Sequence, residues 1–282
     1  MPISMSFSAR LLRSFGCCLC LVALSRGASA QGLVWNLPQE DGVGIRYEGT
    51  YTQLVKRPNA VEGDATLTWT RRLKISSVGK EEAEFRGKTQ PCRWIEFKLQ
   101  TGRPKEGDID VGPGSMRIYK VLMAESIIRG EVTEPIAEGR DIYVSYLPIV
   151  KGFRKIGDEP AQPIDPLVLQ VTPAISQLQH YRNLTASGPA SEIQIPIGNV
   201  SGTLFKGSAV VESLTRRVTS TGEIFRSETV PFGVAKWTAR TVTEEKPSTA
   251  PRTDFVVIAE ITEEMSAHEI LNGAESELIT DQ

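Results

Sequence analysis

The chain has 282 residues, with 32 lysines and arginines against 34 aspartates and glutamates, two histidines and four cysteines. That length can bury a core without disulfide staples, and the lack of a basic excess excludes a charge-driven nucleic-acid binder. The two histidines, His180 and His268, complete no zinc or haem motif, so no metal or cofactor is expected.

In chain order, residues 1–30 read as an export leader. Arg10 and Arg13 precede a short apolar run from Phe15 to Leu24, and "ASA" places small residues at Ala28 and Ala30, so cleavage is expected between Ala30 and Gln31. Cys17, Cys18 and Cys20 leave with the leader, and Cys92 alone cannot close an intrachain disulfide. The expectation is a periplasmic or extracellular protein without a transmembrane segment in its mature chain, because no later stretch is apolar for long enough.

From residue 43 the dominant period is two. In "GIRYEGTYTQL" Ile45, Tyr47 and Tyr51 share one face, and in "ATLTWTRRLKI" Ala65, Leu67, Trp69, Leu73 and Ile75 do so, as half-buried antiparallel strands require. "SSVGK" reads as a turn around Gly79, "EAEFR" as a return strand, and "CRWIEFKL" as a strand with Ile95, Phe97 and Leu99 inward. "SMRIYKVLM" is apolar on both faces and predicts a covered strand. Residues 124–170, rich in proline, predict connecting loops with one strand at "DIYVSYL", and "KGFRK" at 151–155 reads as a solvated loop.

"TPAISQLQHY" predicts a helix over 173–182. Thr172 stands at the cap, Pro173 in the first turn, and Ala174, Ile175, Leu178 and Tyr181 recur at helical spacing. Strand patterns then resume through "GTLFKGSAVVESLTRRV", "EIFRS", "GVAKWTARTV" and "DFVVIAEI". The "TRR" triplets at 70–72 and 215–217 are too short a match for a repeat, so residues 31–272 are taken as a single β-rich domain. Residues 273–282, after Asn272-Gly273, predict an acidic flexible tail.

Catalytic templates find few parts. Ser77 and Lys80 have S-x-x-K spacing, but across an expected turn rather than along a helix. Cys92 has no histidine near it in sequence, and Asp108 and Asp110 are too few for a calcium loop. The aromatic residues remain. Trp69, Trp94 and Trp237 either fill a closed core or line a hollow left open by a curled sheet. Arg71 interrupts the apolar face between Trp69 and Leu73, so it is buried against an acid or an acidic ligand, or a bulge turns it outward. In "SETVPFGVAKW", Pro231 and Gly233 suit a bend between strands, with Phe232 packed over the sheet end or forming a lip beside a groove.

With its leader, the "RYEGTYTQ" strand, the long amphipathic strands, the helical middle and "SETVPFGVAKW", the chain resembles the periplasmic lipoprotein-carrier type of protein. That resemblance implies an incomplete antiparallel barrel around an apolar groove capped by helices. It transfers no functional residue. The "VPFGVAKW" and "LTRRV" stretches also resemble an uncharacterised secreted bacterial family, which implies no activity. The expected fold is therefore mainly β: one curved antiparallel sheet or incomplete barrel with a small helical or loop middle. The expected function is non-enzymatic binding of an apolar ligand or a lipidated envelope partner, with Trp69, Arg71, Phe232 and Trp237 as candidate contacts. A structural or protein-interaction module with a closed core is the alternative, followed by a carboxylate-based hydrolase.

Overall fold

The computed structural model describes residues 32–279 apart from 59, 111, 113, 129–132, 138–139, 144–145 and 182, and within 133–146 it describes backbone alone. The expected leader and its Ala30/Gln31 junction lie outside the described residues.

Among these residues twelve strands make one large antiparallel sheet. They are β1 (Gly44–Val55), β2 (Ala65–Phe85), β3 (Lys88–Gly102), β4 (Arg117–Ala124), β5 (Lys151–Ile156), β6 (Gln162–Pro163), β7 (Thr185–Ala186), β8 (Ser191–Ile195), β9 (Gly198–Glu212), β10 (Arg216–Arg226), β11 (Val234–Glu245) and β12 (Val256–Leu271). The order is β6-β5-β4-β3-β2-β1-β12-β11-β10-β9-β7, and β8 also pairs with β9. The two ends of this order do not meet, so the sheet is open, not a closed barrel. The mainly β class read from the period-two pattern is the class observed.

Alternation assigns each strand an inner and an outer face. Side chains in register form rows across the inner face. One row carries Leu99, Leu73, Tyr47 and Ala267. The next carries Thr101, Arg71, Gly49, Met265, Trp237, Ile224 and Phe205. Trp69, Tyr51, Glu263, Ala239, Gly222 and Gly207 follow. Three segments outside the large sheet cover these rows: Leu33, Val34 and Trp35 from the start, Leu147 and Ile149 from the middle, and Leu169, Val171, Ile175, Leu178, Tyr181 and Leu184 from residues 169–184, with Tyr146–Pro148 and Val168–Gln170 paired as a short antiparallel ladder inside the expected connecting segment. All join the sheet's Ile45, Ile75, Ile95 and Phe97 in one buried cluster.

Several local expectations are corrected. The helix expected over 173–182 is not formed in its described residues, 173–181. Ile175 and Ser176 both donate to the Val171 carbonyl, making one turn. Beyond it, sheet side chains take the groups a helix would pair internally: Arg71 donates to the Ile175 carbonyl, while the Gln177 amide and Ser176 hydroxyl donate to Glu263. Gly79 does not turn the chain; β2 runs through it with a bulge between Ser77 and Lys80, and the reversal falls at Arg86 and Gly87. "KGFRK" is no loop but β5, which pairs along β4 from Lys151–Leu122 to Ile156–Arg117. This pairing puts β4 inside the sheet, as its two-sided apolarity requires. The "TRR" triplets fall at unlike places, the first within β2 and the second at the entry to β10.

The acidic tail is the other correction: residues 274–278 dock on the outer face. Glu96, almost fully buried, accepts from the Ser276 hydroxyl and from the amides of Glu277 and Leu278 at 2.8–3.1 Å. Lys74 and Lys98 stand directly opposite one another on β2 and β3, a repulsive pair that the Glu277 carboxylate bridges at 2.9 and 2.6 Å. Leu278 is 1% exposed. Partial burial opposes ionisation of Glu277, but hydrogen bonds from Lys98 and Lys74 outweigh it and hold the carboxyl below its ordinary value. A depressed carboxylate contributes stability above its unfolded pKa, about 4.3, and loses it as pH falls through the lower folded value. The strap is therefore expected to loosen in acid. Hydrogen exchange at the Leu278 amide should accelerate below that range more than exchange in β3, and Glu277→Gln should remove the difference.

Candidate functional site

The inner face is not covered to its end. Past the row of Tyr51 and Glu263 lie two more: Leu67, Gln53, Ile261, Thr241, Ser220 and Ala209, then Ala65, Val55, Ala259, Thr243, Val218 and Val211. Only Ser220 is buried, beneath Tyr181; the rest are half-buried or exposed, with Leu67 at 44% and Val211 at 66%. None of the twelve carries a charge. The outer face of the same strands is dressed with ion pairs, among them Arg72–Glu48 at 2.9 Å, Arg240–Glu260 at 2.6 Å and Lys206–Glu223 at 2.6 Å.

Where the covered and uncovered parts of the face meet, a cleft of about 180 Å³ opens between the sheet and residues 114–117 and 173–177. Tyr51, Gln53, Trp69, Arg71, Leu99, Thr101, Ser115, Arg117 and Gln177 line it, and among the described residues no acidic side chain does. Trp69 and Tyr51 meet at 5.9 Å between ring centroids, and the Arg71 guanidinium lies 4.9 Å over the Tyr51 ring. Burial pushes the Tyr51 phenol above its ordinary value, against the pull of Arg71 and Arg117, so it is a neutral hydrogen-bonding group at physiological pH. Ser115 has φ 54°, an uncommon conformation for a residue with a side chain.

Behind the cleft sits a buried polar knot. Arg71 is 4% exposed and Glu263 is fully buried, and they pair at 2.8 Å. The second Glu263 oxygen accepts from the Trp237 indole at 2.6 Å and the Ser176 hydroxyl at 2.7 Å. Of the two sequence alternatives for Arg71, the buried one with an acid partner is realised. That partner, 192 positions along the chain, had no local signal. The knot ties the sheet to the covering segment through the Ile175 carbonyl and the Gln177 amide.

The four candidate contacts separate. Trp69 and Arg71 line the cleft. Trp237 is 2% exposed and packs edge-on against Tyr47 at 4.9 Å, inside the core. Phe232, at φ 63° in the short 3-10 turn Pro231–Gly233, is fully buried and forms no lip; its carbonyl accepts from the Trp35 amide, so the turn anchors the start of the described chain. Trp94 faces outward, stacked on Phe153 at 6.5 Å. Arg117, which sequence reasoning passed over, belongs to the cleft; its place opposite Leu99 in the β3–β4 register brings it there.

Other candidates are occupied structurally. Ser77 donates to Asp41 at 2.7 Å and accepts from Arg93, whereas Lys80 donates to the Gln39 carbonyl, so the two do not form a catalytic pair. Cys92 is buried, which pushes its thiol up from the ordinary value. Asp108 binds Arg72, and Asp110 accepts from the Arg103 amide. Among the described residues no three His, Cys, Asp or Glu side chains are grouped to hold a metal ion, and no helix is long and apolar enough to cross a membrane. The chain matches no protein-family model and no curated protein, which leaves the geometry of the cleft and the uncovered rows as the ground for a functional reading.

Proposed function

We propose that this is an exported, non-enzymatic binding protein that holds an acyl chain, free or attached to a partner, along the uncovered rows of the inner face. The supporting observation is the asymmetry of the two faces. A strand segment wet on both sides ordinarily carries polar residues on both; the outer side of these rows carries the Arg240–Glu260 pair and six threonines beside Leu54, Val242 and Val210, whereas the inner rows have no charge and hold Ala65, Leu67, Val55, Ile261, Ala259, Val218, Ala209 and Val211 among threonine, serine and glutamine. The rows cross six strands, about 24 Å at the usual strand spacing, enough for a common membrane acyl chain to lie across them.

A second reading, in which the free edge of the sheet pairs with another protein strand, is favoured by β9, whose residues 207–212 have only β10 as a strand neighbour among the described residues and expose Val210 and Val211. Native mass spectrometry of protein purified without detergent separates the two. One bound acyl ligand per chain, or uptake of a fluorescent fatty acid, is expected, and Val218→Asp and Ile261→Asp should abolish it. Both residues are half-buried and lie outside the buried cluster, so each change should lower unfolding stability by about 1 kcal/mol, the span of strand propensity, and leave the protein folded. A ligand-free mass with no uptake would defeat the proposal, and dimers under the same conditions would favour the edge.

A further inference from the structure

We infer that the cleft at Arg117 is an oxyanion site, taking the carboxylate or phosphate at the polar end of the ligand whose chain lies on the uncovered rows; this rests on the binding function proposed above. The charge balance of the cleft carries it. Arg71 is matched by Glu263 at 2.8 Å, whereas Arg117 has no carboxylate within 4.0 Å among the described residues. Its Nε donates to the Gly114 carbonyl at 3.0 Å, and one terminal nitrogen approaches the Ala174 carbonyl at 3.4 Å. These two dipoles fix the direction of the guanidinium without neutralising it. The cleft therefore carries one net positive charge, partly withdrawn from water.

That state is unusual in this molecule. The other half-buried or buried arginines with described side chains, Arg46, Arg72, Arg93 and Arg217, each have an acid partner, except Arg226, which lies 4.8 Å over the Trp35 ring. Around Arg117 the walls offer Tyr51, Thr101 and Ser115 hydroxyls and the Gln53 and Gln177 amides, all able to donate to an anion. The cleft is too small for a drug-sized ligand, whose pockets run from about 300 Å³, but it has room for a head group. Gln53 lies in the same row as Leu67 and Ile261, so a chain leaving the cleft passes directly onto the uncovered face.

The test compares palmitate, 1-palmitoyl lysophosphatidate, hexadecanol and inorganic phosphate on the full chain by isothermal titration, with Arg117→Gln and Arg117→Lys. The anionic lipids should bind at least about tenfold more tightly than hexadecanol, the range expected of a hydrogen bond to a charged group. Arg117→Gln should erase that difference while hexadecanol still binds and thermal unfolding stays cooperative, and Arg117→Lys should restore part of it. The ratio of palmitate to lysophosphatidate identifies the preferred head group. Equal binding of hexadecanol and the anions by the unaltered protein would overturn the oxyanion site and leave the acyl-binding function standing. Phosphate binding that depends on Arg117, with no uptake of any acylated probe, would support the oxyanion site and remove the acyl chain.

Discussion

Glu263→Ala is expected to destabilise the protein by about 3–5 kcal/mol, because it leaves the Arg71 guanidinium buried without its counter-charge. The same change strips partners from the Trp237 indole, the Ser176 hydroxyl and the Gln177 amide, each of which is buried and bonded to that carboxylate. Desolvation makes such a pair a poor source of net stability, so removing both charges together should cost far less than removing one. Arg71→Met combined with Glu263→Leu is therefore expected to recover more than half of the loss. Urea unfolding of the three variants checks this. A loss below about 1 kcal/mol for Glu263→Ala would mean that water reaches the pair and that the covering segment is not held as described.

Tyr181→Ala should have an effect of similar size, about 3–5 kcal/mol, the range for emptying a large aromatic site. Tyr181 is fully buried and lies on Gly207 and Gly222, which face each other on β9 and β10. A Cβ at Gly207 would stand 2.5 Å from the Tyr181 Cβ, and one at Gly222 would stand 2.5 Å from the ring. Both glycines are therefore required by the close approach of the ring. Gly222→Ala is expected to cost about 1–3 kcal/mol by overpacking. In the Tyr181→Ala background that cost should vanish, since the added methyl then enters vacated space. Tyr181→Phe should lose about 1 kcal/mol or less, because its hydroxyl meets Ser220 at 3.3 Å. Additive costs for Gly222→Ala and Tyr181→Ala would show that the ring does not occupy the glycine niche.

These expectations concern the segment that the sequence misrepresents most. Thr172, Pro173, Ile175, Leu178 and Tyr181 satisfy the rules for a helix, yet nearly all the apolar residues in that pattern are buried in an irregular cover. The spacing reports which side chains seek the core; it does not report that Arg71 and Glu263 compete for the backbone groups of 175–177. The docked strap is the same lesson in reverse. Glu275 and Glu277 look like a solvated run until Lys74 and Lys98 are set opposite each other by the β2–β3 register.

By itself the sequence determined the mainly β class, the inward faces of β1 to β3 and the two-sided cover of β4. These follow from a local rule: side chains alternate along a strand, and an apolar set must find one core. It also placed Trp69 and Arg71 among the candidate contacts, because a charge interrupting an apolar stripe is visible within a few residues. Only the tertiary structure decided that Arg71 is matched, that Arg117 has no carboxylate partner among the described residues, and that none of them covers the inner face far beyond Tyr51. Those facts depend on register between strands far apart in the chain and on how far an irregular segment reaches over the sheet. Neither leaves a periodic trace in the sequence, since register is fixed by the summed packing of whole strands rather than by the residues at any one position.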